Sequence, residues 1–182
     1  MHTHRLFVAI LPPEPWARWA LTFLEGIAPP PGGWRTTPTE QVHLTLQFIG
    51  DRRGTEMDRT LESVRRAASG IGPLTLQPTR LVALPRPGPA RLIALETTAP
   101  PPLLELQHRL AARLARRPRS APGDRFLPHF TLCRFVTEST VALPDLEIPD
   151  HSLEVGEIAT IESVLHPAGA EHRVLDRVTL GT

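Results

Sequence analysis

Two segments of this 182-residue chain, VHLTLQFIG at residues 42–50 and PHFTLCRF at residues 128–135, repeat the order His, apolar, Thr, apolar. That alternation has the two-residue period of a β-strand, so in each copy the His and the Thr share one face while the apolar pair enters a core. A chain that must bury Leu44 with Leu46, and Phe130 with Leu132, is committed to two half-exposed strands, each presenting an imidazole beside a hydroxyl. Read alone, either copy is a partly buried strand whose His and Thr satisfy backbone groups. Facing each other across a groove, the two supply an acid, a base and two hydrogen-bond donors, a full set for opening a phosphodiester without metal.

Chance accounts for one copy more easily than for two. With 8 His and 18 Thr in the chain, a bare His-x-Thr arises roughly 0.8 times at random. Requiring apolar residues at both other positions, at 41% hydrophobic content, lowers the expectation to roughly 0.13, and two such copies to about one chance in a hundred. His43 and His129 lie 86 residues apart, near half the chain length, and each follows a helix-like stretch and a loop. The spacing motivates a duplicated lobe with a pseudo-twofold axis between the two His-bearing strands, and predicts that the imidazoles converge.

The basic residues exclude several other chemistries. All 20 are Arg, since the chain has no Lys, which removes a Walker loop, Schiff-base catalysis and lysyl nucleotidylation. Tyr is absent, leaving six Phe and three Trp as stacking surfaces for bases. The net charge of +1 gives no global field of the kind that marks a nonspecific nucleic-acid binder. Cys133 is the only cysteine; it excludes an intrachain disulfide and a Cys-based zinc cage, and reads as a small strand side chain in a reducing compartment. No apolar run is long enough for a signal core or a membrane span, so a cytoplasmic protein with no membrane association is expected.

Periodicity places the elements. Residues 5–11 (RLFVAIL) read as a strand, followed through Pro-Pro-Glu-Pro by a helix over 14–27 with Trp16, Ala20, Phe23, Leu24 and Ile27 in one stripe. The loop APPPGGWRTTPTE leads to the first motif strand, 42–49, which stops at Gly50-Asp51. A helix over 54–69 turns Leu61, Val64 and Ala68 inward, and 73–84 with 91–97 form a strand pair around PRPGPA. A helix over 102–116 buries Leu103, Leu106, Leu110 and Leu114, with Arg113, Arg116, Arg117 and Arg119 as its basic end. The second motif strand, 129–136, and strands near 153–165 and 173–179 complete the chain. Mixed helices and adjacent strands favour an α+β fold with antiparallel sheets.

The two His-x-Thr-x motifs, the opening RLFVAI with its Pro-rich turn, the PxxxVHLTLxFIG and PHFTLxR contexts and the late VLHPAGAEHRVL together resemble the 2H phosphoesterases. Within them the likeness is to bacterial RNA 2′,3′-cyclic phosphodiesterases, also called 2′-5′ RNA ligases, and it runs over essentially the whole chain. The resemblance implies one domain over residues 1–182 made of two lobes: a bilobed fold of two antiparallel sheets with outer helices around a central groove. It implies no metal or cofactor, substrates that are RNA ends or nucleotides bearing a 2′,3′-cyclic phosphate, and no protein partner, so a monomer is expected. Carried across, His43 and His129 would be the catalytic pair, and Thr45 and Thr131 donors to phosphate oxygens. The fifth residue after each His, Phe48 and Arg134, would contact base or sugar and phosphate respectively. A straight strand puts that fifth residue on the face opposite the His, so the assignment requires a bulge or strong twist. The resemblance also makes the 3′ oxygen the leaving group, with His43 as acid and His129 as base, although the symmetry of the motifs does not fix that order.

Rival readings use other residues. A metallohydrolase would recruit His2, His4, His108, His151, His166 and His172, none of which shows a ligand spacing. A nonenzymatic RNA-binding module would use the Arg run and the Phe and Trp side chains. Within the family the substrate could instead be a small cyclic nucleotide, an ADP-ribose cyclic phosphate or a 2′-5′ oligonucleotide. Trp34, Arg35 and the loops near 85–89 and 120–125 are placed to decide among these.

Overall fold

Every strand pairing in the computed structural model is antiparallel. The structure describes residues 3–30, 32–115, 126–166 and 169–181. In chain order it contains β1 (Thr3–Ile10), α1 (Glu14–Thr22), β2 (Trp34–Thr36), β3 (Leu44–Arg53), α2 (Met57–Ala68), β4 (Leu74–Leu76), β5 (Pro78–Leu84), β6 (Ala90–Thr97), α3 (Pro101–Leu114), β7 (His129–Ser139), β8 (Leu153–Val155), β9 (Glu157–His166) and β10 (Gly169–Thr179). The mixture is the expected α+β class.

The main sheet runs β10-β9-β1-β3-β7-β6-β5, with β2 on β7, while β4 and β8 make a separate two-stranded sheet. Its two halves, β10-β9-β1-β3 and β7-β6-β5 with β2, meet at one residue pair, Leu44 with Phe130. Both residues hold the position after the motif His, so the junction lies on the symmetry point that the spacing anticipated. Each half repeats strand, helix, motif strand: β1-α1-β3 and β6-α3-β7. The equivalence extends to residues. Ala9 and Ala94 stand opposite Thr45 and Thr131, and Ile10 and Leu95 opposite Leu44 and Phe130.

All three helices cover one face of this array. Their buried residues, among them Trp16, Ala20, Val64, Ala67, Leu103, Leu106 and Leu110, share one core cluster with Leu44, Leu46, Phe130 and Leu132 of the motif strands. Leu103, Leu106 and Leu110 are each 0% exposed; burial of such a side chain contributes about 1.5–3 kcal/mol. Pro at the first turn starts α1 and α3, where its missing N–H costs no helical bond. Among the described residues no helix packs on the smaller cluster Phe7, Ala9, Ala159 and Ile161, which floors the opposite face. Among the described residues no helix is long and apolar enough to cross a membrane.

Five local expectations change. The strands expected over 73–84 and near 153–165 are each divided, and their first parts, β4 and β8, pair with one another in the small sheet. The first helix tightens into a 3₁₀ turn at Phe23–Gly26. The first motif strand does not stop at Gly50-Asp51 but continues to Arg53, because Gly50 adopts φ +77° and absorbs a bulge opposite Leu6. In α2, Thr60 and Ala67 are buried beside Val64 and Ala68 while Leu61 is only half-buried. The loop before the first motif contains β2, whose pairing is with β7 of the other half and so has no local signal. Arg116, Arg117, Arg119 and the loop 120–125 lie outside the described residues.

Candidate active site

Both motif histidines are positioned by the same local device. A single 3₁₀ turn at Thr39–Gln41, opened by Pro38, directs the Gln41 carbonyl at the His43 ring, and Nδ1 lies 2.6 Å from that oxygen. In the second copy Nδ1 of His129 lies 2.7 Å from the carbonyl oxygen of Leu127. A carbonyl only accepts, so each Nδ1 carries the proton and each Nε2 is left for the open face. The partner is the residue two before the His in both cases. Pro128 assists by ending the preceding segment, its carbonyl accepting from the Thr97 amide at 3.0 Å.

The Leu44–Phe130 bridge brings the copies together. Both side chains are 0% exposed and point at the helices, and the antiparallel register sets His43 across from Thr131 and His129 across from Thr45. The two motifs thus lie side by side on the open face, where the charge of His129 reaches His43. Thr22, Thr60, Thr79 and Thr97 commit their hydroxyls to backbone carbonyls. Those of Thr45 and Thr131 have no protein partner among the described residues and remain able to donate to a ligand.

The required bulge is present twice, at equivalent places. Thr45 pairs with Ala9 and Gln47 with Val8, leaving Leu46 extra; Thr131 pairs with Ala94 and Cys133 with Ile93, leaving Leu132 extra. Two consecutive residues are buried in each strand, Leu46 with Gln47 and Leu132 with Cys133, and the alternation inverts after them. Phe48 and Arg134 therefore return to the face of the histidines. Phe48 is 65% exposed, so it is not a core residue. Burial pushes the Cys133 thiol up to about 11, which suits an inert strand side chain.

The surroundings of His43 include a residue that sequence reasoning placed elsewhere. The His172 ring meets His43 edge-on at 5.2 Å, and both rings pack on Phe7, at 5.1 and 5.0 Å. Gln41 Nε2 donates to the Ala170 carbonyl at 3.1 Å, tying the start of β10 over this corner. Burial, with the charges of His172, Arg134 and His129 adding to it, lowers His43 to about 4 against the pull of the Gln41 carbonyl. His172 is lowered by burial as well. The one sequence signal for His172 was its place in the late strand segment of the resemblance. The other histidines are dispersed: His4 bonds Glu162 at 2.6 Å, His151 stacks on Trp19, His166 pairs with Glu171 and His108 is exposed on α3. Among the described residues no three His, Cys, Asp or Glu side chains are grouped to hold a metal ion; His2 lies outside them.

Comparison with known proteins bears on the family and the fold. A family model described as LigT like phosphoesterase matches residues 10–94. The chain is 31% identical over 185 residues to an RNA 2′,3′-cyclic phosphodiesterase of Thermus thermophilus, covering 97% of this chain and 90% of that protein. Among solved structures it is similar to TT0787 of the same organism, with a TM-score of 0.79 and 27% identity over 97% of each chain. It is also similar to E. coli LigT complexed with phosphate, with a TM-score of 0.79 and 25% identity over 100% of each.

Proposed function

Because this chain belongs to the LigT-like phosphoesterases of the 2H superfamily, we propose that it hydrolyses the 2′,3′-cyclic phosphate ends of RNA to 2′-phosphates, as a cytoplasmic monomer and without a metal. The observation that carries this reading is the meeting of two Nδ1-anchored histidines and two unengaged threonines at the Leu44–Phe130 bridge. Hydrolysis of the cyclic diester needs water in line with the departing ribose oxygen, so base and acid must flank the phosphorus. Two histidines of opposite lobes do so. His129 takes a proton from water as its oxygen bonds to phosphorus. The bond from phosphorus to the 3′ oxygen breaks, and His43 gives that oxygen a proton, leaving a 2′-phosphate and a free 3′-hydroxyl. Each transfer is worth about 10² to 10⁴ in rate. Thr45, Thr131 and Arg134 take the charge that gathers on the nonbridging oxygens.

An acid role for His43 depends on the substrate. In the free protein His43 sits at about 4 and is neutral at neutral pH. The negative charge of a bound diester beside Nε2 opposes the repulsion from Arg134, His129 and His172 and draws a proton onto the ring. The same displacement with an RNA 5′-hydroxyl in place of water as the nucleophile joins ends in a 2′-5′ linkage; excess water makes this the weaker activity.

The test is turnover of an oligoribonucleotide ending in a 2′,3′-cyclic phosphate, with and without EDTA, and identification of the product phosphate. A 2′-phosphate formed at equal rate in EDTA is expected. A strict divalent-metal requirement, or no turnover by well-folded protein, refutes the reading.

A further inference from the structure

The pairing of β2 with β7 sets Arg35 directly opposite Arg134. Residues directly opposite in an antiparallel pair project from the same face, and like charges so placed destabilise the pairing. Both arginines are exposed, and the face is the one that carries His129 and Thr131. Behind them Trp34 stacks on Phe135, with ring centroids 6.4 Å apart, and packs on the core, which fixes β2 in this register.

Ten of the sixteen described arginines, Arg5, Arg18, Arg53, Arg65, Arg66, Arg80, Arg91, Arg109, Arg173 and Arg177, lie within 4.0 Å of a carboxylate. Arg52, Arg59, Arg86 and Arg113 do not, but none of these stands opposite another arginine in a strand pair. The cavity of about 500 Å³ at the far end of β1 shows the contrast, since its Arg5 and Arg173 are accompanied by Asp51 and Glu162. Neither Arg35 nor Arg134 has a carboxylate partner among the described residues. The charge of Arg134 instead reaches His43. Two adjacent guanidinium forks, neither held by a carboxylate among the described residues, form a site for two negative groups on one ligand.

We propose that Arg35 is a specificity-determining residue that binds the phosphate next to the reactive one, the 5′ phosphodiester of the terminal nucleotide, while Arg134 holds the reactive phosphate itself. The inference rests on the proposed function, and it makes the preferred substrate a polynucleotide end instead of a nucleoside cyclic phosphate. Thus β2, which among the described residues has no counterpart beside β3, adds to one lobe a contact that the other lacks.

The experiment compares Arg35→Gln with the parent protein on adenosine 2′,3′-cyclic phosphate and on a dinucleotide ending in a 2′,3′-cyclic phosphate. The expected result is a dinucleotide kcat/KM that falls about tenfold further than that of the mononucleotide. Equal losses on the two, or no loss on either, overturn the assignment. Binding of a dinucleotide 2′-phosphate and of adenosine 2′-phosphate, measured by calorimetry, gives the same comparison without turnover, so failure of the catalytic reading is distinguishable from failure of the Arg35 subsite. In the parent protein the dinucleotide's log-log salt slope should be steeper by about 0.7, a readout that needs no variant. Indistinguishable slopes count against the subsite.

Discussion

The two lobes are alike in backbone and unlike in what surrounds their histidines. Each places a His after a carbonyl that holds Nδ1, a Thr opposite an Ala, and a bulge that returns the fifth residue to the open face. Around His43 the neighbours are aromatic: the buried Phe7, the half-buried His172 and, nearby, the exposed Phe48. Around His129 they are charged. Glu96 stands opposite it and is held by Arg80 at 2.8 Å, and Arg134 and Arg35 follow on the same face. Backbone repetition thus sets where the imidazoles are, while unequal neighbours give one lobe a low-charge corner and the other a cationic one. A symmetric frame with asymmetric lining is what an in-line displacement needs, since its two ends require opposite proton transfers.

The comparison breaks most directly at the histidines. His43→Ala and His129→Ala should each lower kcat about 10³-fold on the cyclic phosphate while leaving binding of a nucleoside 2′-phosphate largely intact. The division of labour is sharpened with an aryl phosphodiester, whose phenolate departs without a proton. On that substrate His43→Ala should recover most of its loss and His129→Ala should not. Equal recovery by both variants would show that the lobes are not differentiated in the way their neighbours suggest.

A second difference should be visible in stability. Folding holds His43 at about 4, against an ordinary value of 6.5, so between those values the unfolded chain binds the extra proton. The contribution is therefore fully present above pH 6.5 and lost as pH falls toward 4. A shift of this size corresponds to about 3 kcal/mol. Urea unfolding of the parent and of His43→Gln across pH 4 to 7 should show the steeper loss in the parent, the variant keeping a smaller slope from His172, which is lowered in the same direction. Parallel curves would mean that the His43 corner is wetter than its packing on Phe7 indicates.

What the sequence revealed follows from which contacts are local. Strand alternation, the Leu103, Leu106, Leu110 stripe and the Pro-initiated helices are set within a few residues, and these elements fall where periodicity places them. The bulges were legible only as a requirement: Phe48 and Arg134 cannot share a face with their histidines unless two neighbouring residues are both buried, and Gln47 and Cys133 give no sign of burial in isolation. Arg35 was legible only as one of the loop residues placed to decide the substrate, and His172 only through the late strand segment; neither could be set beside its motif histidine. Each arrives through pairing with a distant strand, β10 folding toward Gln41 and β2 joining the opposite lobe, and no local pattern encodes such partners.

The fifth positions offer the smallest and most discriminating comparison. Phe48 and Arg134 occupy matched sites, yet one presents a ring and the other a charge. Phe48 stands 6.1 Å from Phe7 and is 65% exposed, so deleting its ring removes little buried area and should leave the melting temperature nearly unchanged. Stacking against a nucleobase is worth about 1–3 kcal/mol, so Phe48→Ala should raise KM for a nucleoside 2′,3′-cyclic phosphate about tenfold with kcat little affected. Phe48→Trp, which keeps a stacking face, should restore most of it. Arg134→Gln should instead lower kcat, because a group that meets charge on the reacting phosphate acts on the transition state more than on the bound substrate. A Phe48→Ala protein with unchanged KM and a lowered melting temperature would make that ring a structural support for Phe7, and would leave the base to be held by the other lobe.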